Sequence, residues 1–372
     1  MLLVIKCLGY GGAEQLVVDA MAHRDRAAFD YEVAYVLAAE NALVPAVAAT
    51  GVTVHALGAR SNADLRWTGA LRRLLVTGRY DVVHFHLPYA AGLGRLVVWT
   101  LPPATRPAVL YTEHNTWHKH ALVVRGLTRL NLGRSDRVLA VSQSVGDSLP
   151  RRLHRRSSVV VHGLDLARAA ALRADAAQVR RSVRAELGLA DDEVLVLTVA
   201  NFRPQKGYDV LLPAAKTVIE ADPTVRFAAV GRGPQRQEVL DLHARLGLGE
   251  RFVVLGQRHD ALRLLAGADV FVLASHYEGL PVALMEATSV GLPIVTTAVG
   301  EVPNFLTDGV DALVVAPGRP DLLAAALRRV VGDPDLRRRL GAAALARSDM
   351  FDITRAVSRI EATYVELVDG AA

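Results

Sequence analysis

The chain has 372 residues, of which 51% are hydrophobic, with a mean hydropathy of +0.24 and a formal net charge of +5. This length exceeds one ordinary core and predicts about two domains. Prolines and an arginine interrupt the longest apolar stretch, residues 96–112, which excludes a membrane span. A single cysteine excludes an internal disulfide, and the first residues do not resemble a signal peptide, so we expect a cytoplasmic protein.

Short β-branched runs alternate with longer amphipathic stretches, which indicates βαβ units and parallel sheets. The first series of predicted strands is 2–8, 31–37, 52–57, 81–86, 108–112, 137–141 and 158–161. The second series is 194–199, 226–230, 252–255, 270–274, 294–297 and 312–315. The tail predicts a helix over 351–368 with an apolar face at Ile353, Val357, Ile360, Tyr364 and Leu367. We therefore predict an α/β fold of two doubly wound domains, 1–165 and 166–350, which face each other.

The first candidate site follows the first predicted strand and reads Gly-Tyr-Gly-Gly-Ala-Glu. Ligands of such sheets collect at the carboxyl ends of strands. Gly11 and Gly12 let the backbone approach an anion at the start of a helix. A dinucleotide fingerprint needs a third glycine where Glu14 stands, so this loop does not match one. A phosphate or sugar contact and a simple tight turn both remain open.

The second candidate site follows strand 194–199 and contains Asn201, Arg203, Lys206 and Gly207, directly before a helix. Both cations stand in a short loop at the end of a strand, where they can meet an anionic ligand. One charge-assisted hydrogen bond of this kind contributes about 1.5 to 3 kcal/mol. Ordinary surface charge is the alternative, although only four of the 43 basic residues are lysines.

The third candidate site reads SHYEGLPVALME at residues 275–286. Glu278 follows a predicted strand, Gly279 allows an unusual backbone angle, and Pro281 takes the first position of a helix. The N–H groups of Val282 and the two residues after it are then free for an anion. Glu286 lies about one and a half turns into this helix, so each glutamate can bind its own pair of hydroxyls. An acid–base pair, or a capping acid beside a core-facing glutamate, are the alternatives.

The stretch SHYEGLPVALMEA resembles the E-x7-E motif of the family 4 retaining glycosyltransferases, the group 1 family, whose GT-B architecture has two Rossmann-like domains around a cleft. Further matches, in the order of the family, are GGAE, DVVHFH, TEH, DRVLAVS, HGLD, RPQKG and TTAVGEVPN. The resemblance covers nearly the whole chain. It implies an acceptor-binding first domain, a nucleotide-sugar-binding second domain, and a C-terminal helix within 351–372 that crosses back to the first.

The resemblance also implies roles for single residues. Glu278 would hold hydroxyls of the donor sugar, Glu286 the ribose of the nucleotide, and Lys206 the leaving phosphate as its charge develops. His114 would lie near the reacting sugar carbon, unless it is only a strand-end histidine satisfied by the backbone. The remaining expected donor contacts are Gly11, Gly12, Gly279, Leu280, Pro281, Val282, Gly300, Glu301 and, near the base, Gln257 and Arg258.

Two positions depart from the family pattern. The usual arginine five residues before the lysine is Asn201, so the two-cation clamp is incomplete there. We keep Asn201 as a donor contact and predict that Arg203 replaces the missing arginine. The familiar N-G-[IV]-D segment reads HGLD, with His162 in the place of Asn, which puts in doubt any contact of that side chain.

No metal site or other cofactor is expected. Asp333-Pro-Asp335 has the D-x-D spacing of metal-dependent transferases of another fold, but an Asp before Pro is a helix start signal. Residues 118–120, His-Lys-His, follow no metal-ligand spacing. An acceptor-loop or surface role suits them better.

The basic run RRLHRR, residues 151–156, is either a solvated face or a contact for anionic lipid or an anionic acceptor. The positive excess is small and spread out, so no nucleic acid partner is expected.

We expect a metal-independent transferase that moves a hexose from a nucleotide diphosphate sugar to a small-molecule, saccharide or lipid-linked acceptor, in the cytoplasm or at the inner face of the membrane. A nucleotide-sugar epimerase of the same fold and a non-catalytic nucleotide-sugar-binding protein remain the alternatives.

Overall fold

The computed structural model describes residues 1–114, 126 and 131–370, so the segment 118–120 lies outside the described residues. The chain divides into two compact units, Met1–Leu164 with Phe351–Ala372, and Asp165–Met350. Within the described residues, the first unit has one seven-stranded sheet and the second one six-stranded sheet. All strand pairs in both sheets are parallel. The predicted α/β class with two parallel-sheet domains is confirmed.

The sheet of the first unit has the order β3-β2-β1-β4-β5-β6-β7. Its strands are β1 Leu2–Ile5, β2 Glu32–Leu37, β3 Thr53–Ala59, β4 Val82–His86, β5 Ala108–Glu113, β6 Arg137–Ala140 and β7 Ser157–Val159. Its described helices are Gly12–His23, Val44–Ala49, Arg66–Gly78, Pro88–Trp99, Gln143–Ser148 and the C-terminal helix, Ile353–Asp369. Leu2 and Val4 face one apolar cluster and Leu3 and Ile5 the other, so apolar residues cover both faces, as a parallel sheet requires.

The sheet of the second unit has the order β10-β9-β8-β11-β12-β13. Its strands are β8 Val194–Val199, β9 Val225–Val230, β10 Phe252–Gly256, β11 Val270–Leu273, β12 Ile294–Thr297 and β13 Leu313–Val315. Its described helices are Leu166–Ala174, Ala176–Glu186, Tyr208–Ala221, Arg236–Leu246, Ala261–Gly267, Val282–Ser289, Val302–Phe305, Pro320–Gly332 and Pro334–Leu345. No helix in the described part of the chain is long and apolar enough to cross a bilayer.

Each of the thirteen predicted strands is present among the described residues. The largest difference is at β1, which ends at Ile5 rather than at residue 8. There the Leu8 backbone N–H donates to the Glu40 carbonyl, and the Leu8 carbonyl accepts from Leu43. These bonds turn the backbone toward the loop after β2 and end the ladder with β2 and β4.

The C-terminal helix is tied to the first unit where the chain leaves β7. The Leu164 N–H donates to the Phe351 carbonyl at 2.7 Å, and the Ile353 N–H donates to the Leu164 carbonyl at 3.1 Å. A Cβ on Gly163 would lie 2.2 Å from the Cα of Ile353, so only glycine fits there. Further along, the buried Tyr364 places its hydroxyl 2.7 Å from Nδ1 of His84 on β4.

Candidate active site

In the second unit, the loop after β8 is shaped by a close backbone approach. A short 3-10 turn covers Pro204–Lys206, and Gly207 follows with φ +66° before the helix begins at Tyr208. A Cβ on Gly207 would lie 2.0 Å from the Ala274 carbonyl oxygen. The loop therefore packs directly on the end of the neighbouring strand β11, which fixes the position of Lys206.

Lys206 and Glu278 meet at the carboxyl ends of these two neighbouring strands. The distance between Lys206 Nζ and Glu278 Oε1 is 2.5 Å, and Ser275 Oγ donates to the same oxygen at 2.7 Å. The lysine side chain is 17% exposed and the glutamate 6% exposed. Loss of one partner would leave the other charge nearly buried, which typically costs about 3 to 5 kcal/mol. The structure thus brings together a cation and a carboxylate that the sequence placed 72 residues apart.

A second loop packs on the backbone beside Glu278. Gly300 has φ +56°, and a Cβ there would lie 2.4 Å from the carbonyl oxygens of both Glu278 and Gly279. The Glu301 N–H donates to the Gly279 carbonyl at 2.9 Å. We expected an unusual backbone angle at Gly279. The glycine with a positive φ here is Gly300, because the loop after β12 needs that angle to approach this closely.

The helix after Glu278 begins one residue later than predicted. Pro281 is its N-cap, with φ −70° and ψ 122°, and Val282 is its first residue. Leu284 already donates its N–H to the Pro281 carbonyl at 3.1 Å, so it is not a free donor as we expected. The N–H groups of Val282 and Ala283 precede the first intrahelical bond and can face an anion. Glu286 lies on the same helix, partly exposed.

Asn201 has a structural partner that sequence reasoning missed. Its Oδ1 accepts the Arg232 N–H at 3.4 Å, and the Phe202 N–H donates to the Arg232 carbonyl at 2.8 Å. A Cβ on Gly231 would lie 2.0 Å from the Ala200 carbonyl oxygen, so the loop after β9 packs closely on the loop after β8. The glycines in GRGP directly after a predicted strand were the available signal for this contact.

The side chains of the other predicted cations of this unit do not bond to Lys206 or Glu278 within the described residues. Arg203 is exposed, and its side chain makes no hydrogen bond or ion pair within the described residues. Arg258 bonds Asp260 at 2.8 Å and Glu186 at 2.6 Å, and its hydrogen bonds lower the pKa of Asp260 to about 2. Arg258 is thus engaged in an ion network, whereas Gln257 is exposed at the end of β10.

In the first unit, the glycine loop after β1 leads into a helix as predicted. Gly11 is the N-cap and Gly12 the first residue of that helix. A Cβ on Gly11 would lie 2.2 Å from the Glu14 carboxylate, which also accepts a hydrogen bond from the Cys7 thiol at 3.2 Å. Burial, together with the charge of Glu14, raises the pKa of the Cys7 thiol to about 12, so it stays protonated.

His114 follows β5 and belongs to a cluster of four histidines, His84, His86, His114 and His162, which we call the histidine cluster. His86 Nδ1 lies 3.1 Å from His114 Nε2, and His162 Nε2 lies 3.1 Å from His114 Nδ1. The His114 backbone N–H donates to its neighbour Glu113 at 3.0 Å. The alternative of a ring satisfied by the backbone is therefore wrong, because both ring nitrogens face other histidines.

Burial lowers the pKa of every ring in the histidine cluster. The value falls to about 3 for His84 and about 4 for His162, and well below the usual range for His86 and His114. A cavity of about 30 Å³ lies beside His84, His86, His162 and Tyr364 of the C-terminal helix. The signal for this cluster was the spacing of His84 and His86, which places both on one face of β4.

The segment Asp333-Pro-Asp335 starts a helix, as predicted. Asp333 is the N-cap of helix Pro334–Leu345, and its Oδ1 accepts the Leu336 N–H at 2.9 Å. Within the described residues, no group of three or more His, Cys, Asp or Glu side chains is arranged to hold a metal ion.

Two family models match successive parts of the chain. Residues 10–168 match Glycosyltransferase Family 4, and residues 179–347 match Glycosyl transferases group 1. The chain is 32% identical over 320 residues to a D-inositol 3-phosphate glycosyltransferase of Streptomyces griseus, covering 77% of this chain and 67% of that protein. It is 27% identical to a UDP-Gal:alpha-D-GlcNAc-diphosphoundecaprenol alpha-1,3-galactosyltransferase of Escherichia coli, covering 82% of this chain and 80% of that protein.

Among solved structures, the fold is similar to that of Anabaena HepE in complex with UDP and glucose. The TM-score is 0.81 at 21% identity, and the match covers 97% of this chain and 98% of that chain. This likeness concerns the fold and agrees with the two parallel-sheet units. The family matches and the Streptomyces relative, together with the site geometry, lead to one conclusion. The chain belongs to the family 4, group 1 glycosyltransferases.

Proposed function

We propose that this glycosyltransferase moves a hexose from a nucleotide diphosphate sugar to an acceptor hydroxyl, with retention of anomeric configuration and without a metal ion. The observation that carries the proposal is the contact of Lys206 with Glu278 at 2.5 Å, next to the first turn of the helix that bears Glu286. A cation, two free N–H groups and two carboxylates are the groups that a sugar diphosphate needs. The names of the relatives support this choice, since they include UDP, UDP-galactose and glucose.

In the proposed mechanism, the acceptor oxygen forms a bond to the anomeric carbon while the bond from that carbon to the diphosphate oxygen breaks. The nucleoside diphosphate leaves with the electron pair of that bond, and its departing oxygen takes the proton that the acceptor hydroxyl loses. Lys206 and the N–H groups of Val282 and Ala283 stabilise the charge that develops on the leaving oxygen. Glu278 holds sugar hydroxyls, and Glu286 holds the ribose.

The remaining assignments are proposals of the same kind. Residues 166–350 bind the donor and residues 1–165 the acceptor, with His114 near the reacting carbon. The further proposed donor contacts are Asn201, Arg203, Gln257, Arg258, Gly11, Gly12, Gly300 and Glu301.

The turn Arg151–Arg156 is exposed except for Leu153, which suits contact with an anionic lipid at the inner face of the membrane. The proposed location is the cytoplasm, with peripheral contact at the inner face of the membrane.

Two measurements test the proposal. The first is a thermal-shift panel of UDP, GDP and ADP sugars, because a ligand at one hundred times its Kd stabilises by about 2.7 kcal/mol. The second follows donor consumption, with and without acceptors, in the presence and absence of a chelator. The acceptor panel includes inositol 3-phosphate and an undecaprenyl diphosphate saccharide, as the relatives suggest.

If the protein is the proposed transferase, consumption of the donor requires an acceptor and continues in the presence of the chelator. Conversion of the donor without an acceptor would identify the epimerase instead. A thermal shift without any turnover would identify a binding protein. If no nucleotide sugar raises the melting temperature, both catalytic interpretations are wrong.

A further inference from the structure

Both ring nitrogens of His114 are occupied by the rings of other histidines. His86 Nδ1 and His162 Nε2 each lie 3.1 Å from one nitrogen of the His114 ring. The rings of His114 and His162 are also stacked, with centroids 4.8 Å apart and an interplanar angle of 19°. The orientation of the His114 ring is thus determined by side chains 28 and 48 residues away in the sequence.

The two partners are themselves held in place. His86 is 6% exposed, and its Nε2 has no hydrogen-bond partner in the described residues, so the bond to His114 is the one that orients its ring. Leu87, the next residue, has φ +66°, a strained backbone for a non-glycine residue. His162 precedes Gly163, whose contact with Ile353 fixes the backbone there.

This arrangement suits an uncharged His114 ring. A neutral imidazole has one N–H donor and one acceptor nitrogen, so it can donate to one neighbour and accept from the other. A protonated ring would be a donor at both nitrogens and would place a positive charge beside the buried ring of His86. The titratable groups that contact His114 in the described structure are His86, His162 and the Glu113 carboxylate at its backbone N–H.

We propose that His86 and His162 are positioning residues that hold His114 as a fixed, neutral ring, so that His114 contacts the donor sugar without donating or accepting a proton in the reaction. The proposal rests on the proposed function of His114. It concerns the HGLD segment, in which His162 departs from the N-G-[IV]-D pattern that the segment resembles. In place of the shorter Asn side chain of that pattern, His162 reaches the His114 ring.

Substitution of His86 and His162 by glutamine or asparagine distinguishes a role in orienting His114 from a role in packing. The amide nitrogen of Gln can take the place of Nε2 of a histidine, and that of Asn the place of Nδ1. His162 uses Nε2, so His162→Gln can keep the contact and His162→Asn cannot. His86 uses Nδ1, so His86→Asn can keep the contact and His86→Gln cannot.

We expect the two positions to respond in opposite ways. At His162 the Gln variant retains kcat and the Asn variant loses about tenfold, whereas at His86 the Asn variant retains kcat and the Gln variant loses about tenfold. The KM for the donor stays unchanged in all four variants. If Gln is the better replacement at both positions, or if the four variants lose kcat equally, the side chains only fill space and the proposal is wrong.

A spectroscopic measurement tests the protonation state of the His114 ring and does not require turnover. Side-chain nitrogen-15 NMR of the wild type should show His114 neutral, with one protonated nitrogen, at pH values between about 8 and 6. A His114 ring that titrates near its ordinary pKa in this range would overturn the proposal. If the ring stays neutral but no nucleotide sugar is turned over, the proposed function has failed and the histidine geometry has not. Urea unfolding of each variant, followed by tryptophan fluorescence, establishes that the first unit remains folded.

Discussion

At the residue scale, Gly207 combines a left-handed backbone with no room for a side chain. We expect Gly207→Ala to lower the free energy of unfolding by more than about 2 kcal/mol, since the new Cβ would meet the Ala274 carbonyl. Gly188 is the matched control, because it also has a left-handed backbone, with φ +64°, and a Cβ there would meet no other atom within 4 Å. Its alanine variant should lose only about 1 kcal/mol, from the backbone angle alone.

Urea unfolding followed by far-UV circular dichroism measures both glycine variants. Gly207→Ala should also lower activity, because it moves the loop that carries Lys206. Equal stability losses for Gly207→Ala and Gly188→Ala would show that the close approach of this loop to β11 is not present in solution.

The sequence predicted the individual site residues better than their contacts. Lys206 and Glu278 could each be located, because each follows a predicted strand beside a glycine and a helix start. Their direct contact depends on β8 and β11 being neighbours in the sheet, which no local pattern states. The histidine cluster was missed for the same reason, since its members come from three separate segments of the first unit.

At the element scale, Asp333 caps the helix Pro334–Leu345. We expect Asp333→Ala to lower the free energy of unfolding by about 1 kcal/mol, because the Leu336 N–H loses its acceptor. Asp335→Ala is the control, since in the described structure Asp335 pairs with Arg338 at the surface, and its loss should change stability by less than about 0.5 kcal/mol. Urea unfolding by circular dichroism measures both.

Activity assays with these two variants also examine the D-x-D spacing. If the segment is only a helix start, neither substitution changes kcat, with or without added manganese. A parallel loss of kcat in both variants, restored by metal, would contradict the capping role.

Strands were predicted more accurately than the ends of elements. Strand positions follow from continuous apolar runs that a two-sided parallel sheet buries, so every predicted strand was found. Ends depend on single hydrogen bonds that the sequence does not display. Pro281 illustrates this, because proline suits both the N-cap and the first helical position, and the extended ψ of 122° decides for the N-cap.

At the scale of the whole molecule, the four neutral histidines predict acid sensitivity of the first unit. Their pKa values are lowered by folding, so below the ordinary value of about 6.5 the unfolded chain binds more protons than the folded chain. Stability should therefore fall as the pH falls through this region. His84 alone, buried and with a pKa of about 3, should contribute a loss of about 1 kcal/mol between pH 7.5 and 5.5.

Tryptophan fluorescence reports on the first unit selectively, because Trp67, Trp99 and Trp117 all precede residue 165. The urea midpoint measured by fluorescence should be lower at pH 5.5 than at pH 7.5. His84→Gln should reduce this pH dependence. A midpoint that does not change with pH would mean that the cluster is open to solvent in the folded state.

The division into two α/β units was accessible from the sequence because strand and helix periods alternate through both halves with a purely helical segment between them. The acceptor, the donor sugar and the nucleotide base could not be predicted from the sequence, because hydroxyl and backbone contacts recognise many sugars alike. Residues 1–165, proposed to bind the acceptor, carry no motif whose chemistry selects one molecule.

The central claim is that Lys206 and Glu278 form one catalytic site, and the kcat of glycosyl transfer in Lys206→Ala and Glu278→Gln tests it most directly. Lys216 and Glu220 provide matched controls, because they form an exposed lysine–glutamate pair at 3.6 Å in the same unit. We predict that each site variant lowers kcat roughly 100-fold or more, while Lys216→Ala and Glu220→Gln retain wild-type kcat. Near-normal transfer by folded Glu278→Gln or Lys206→Ala would contradict the account.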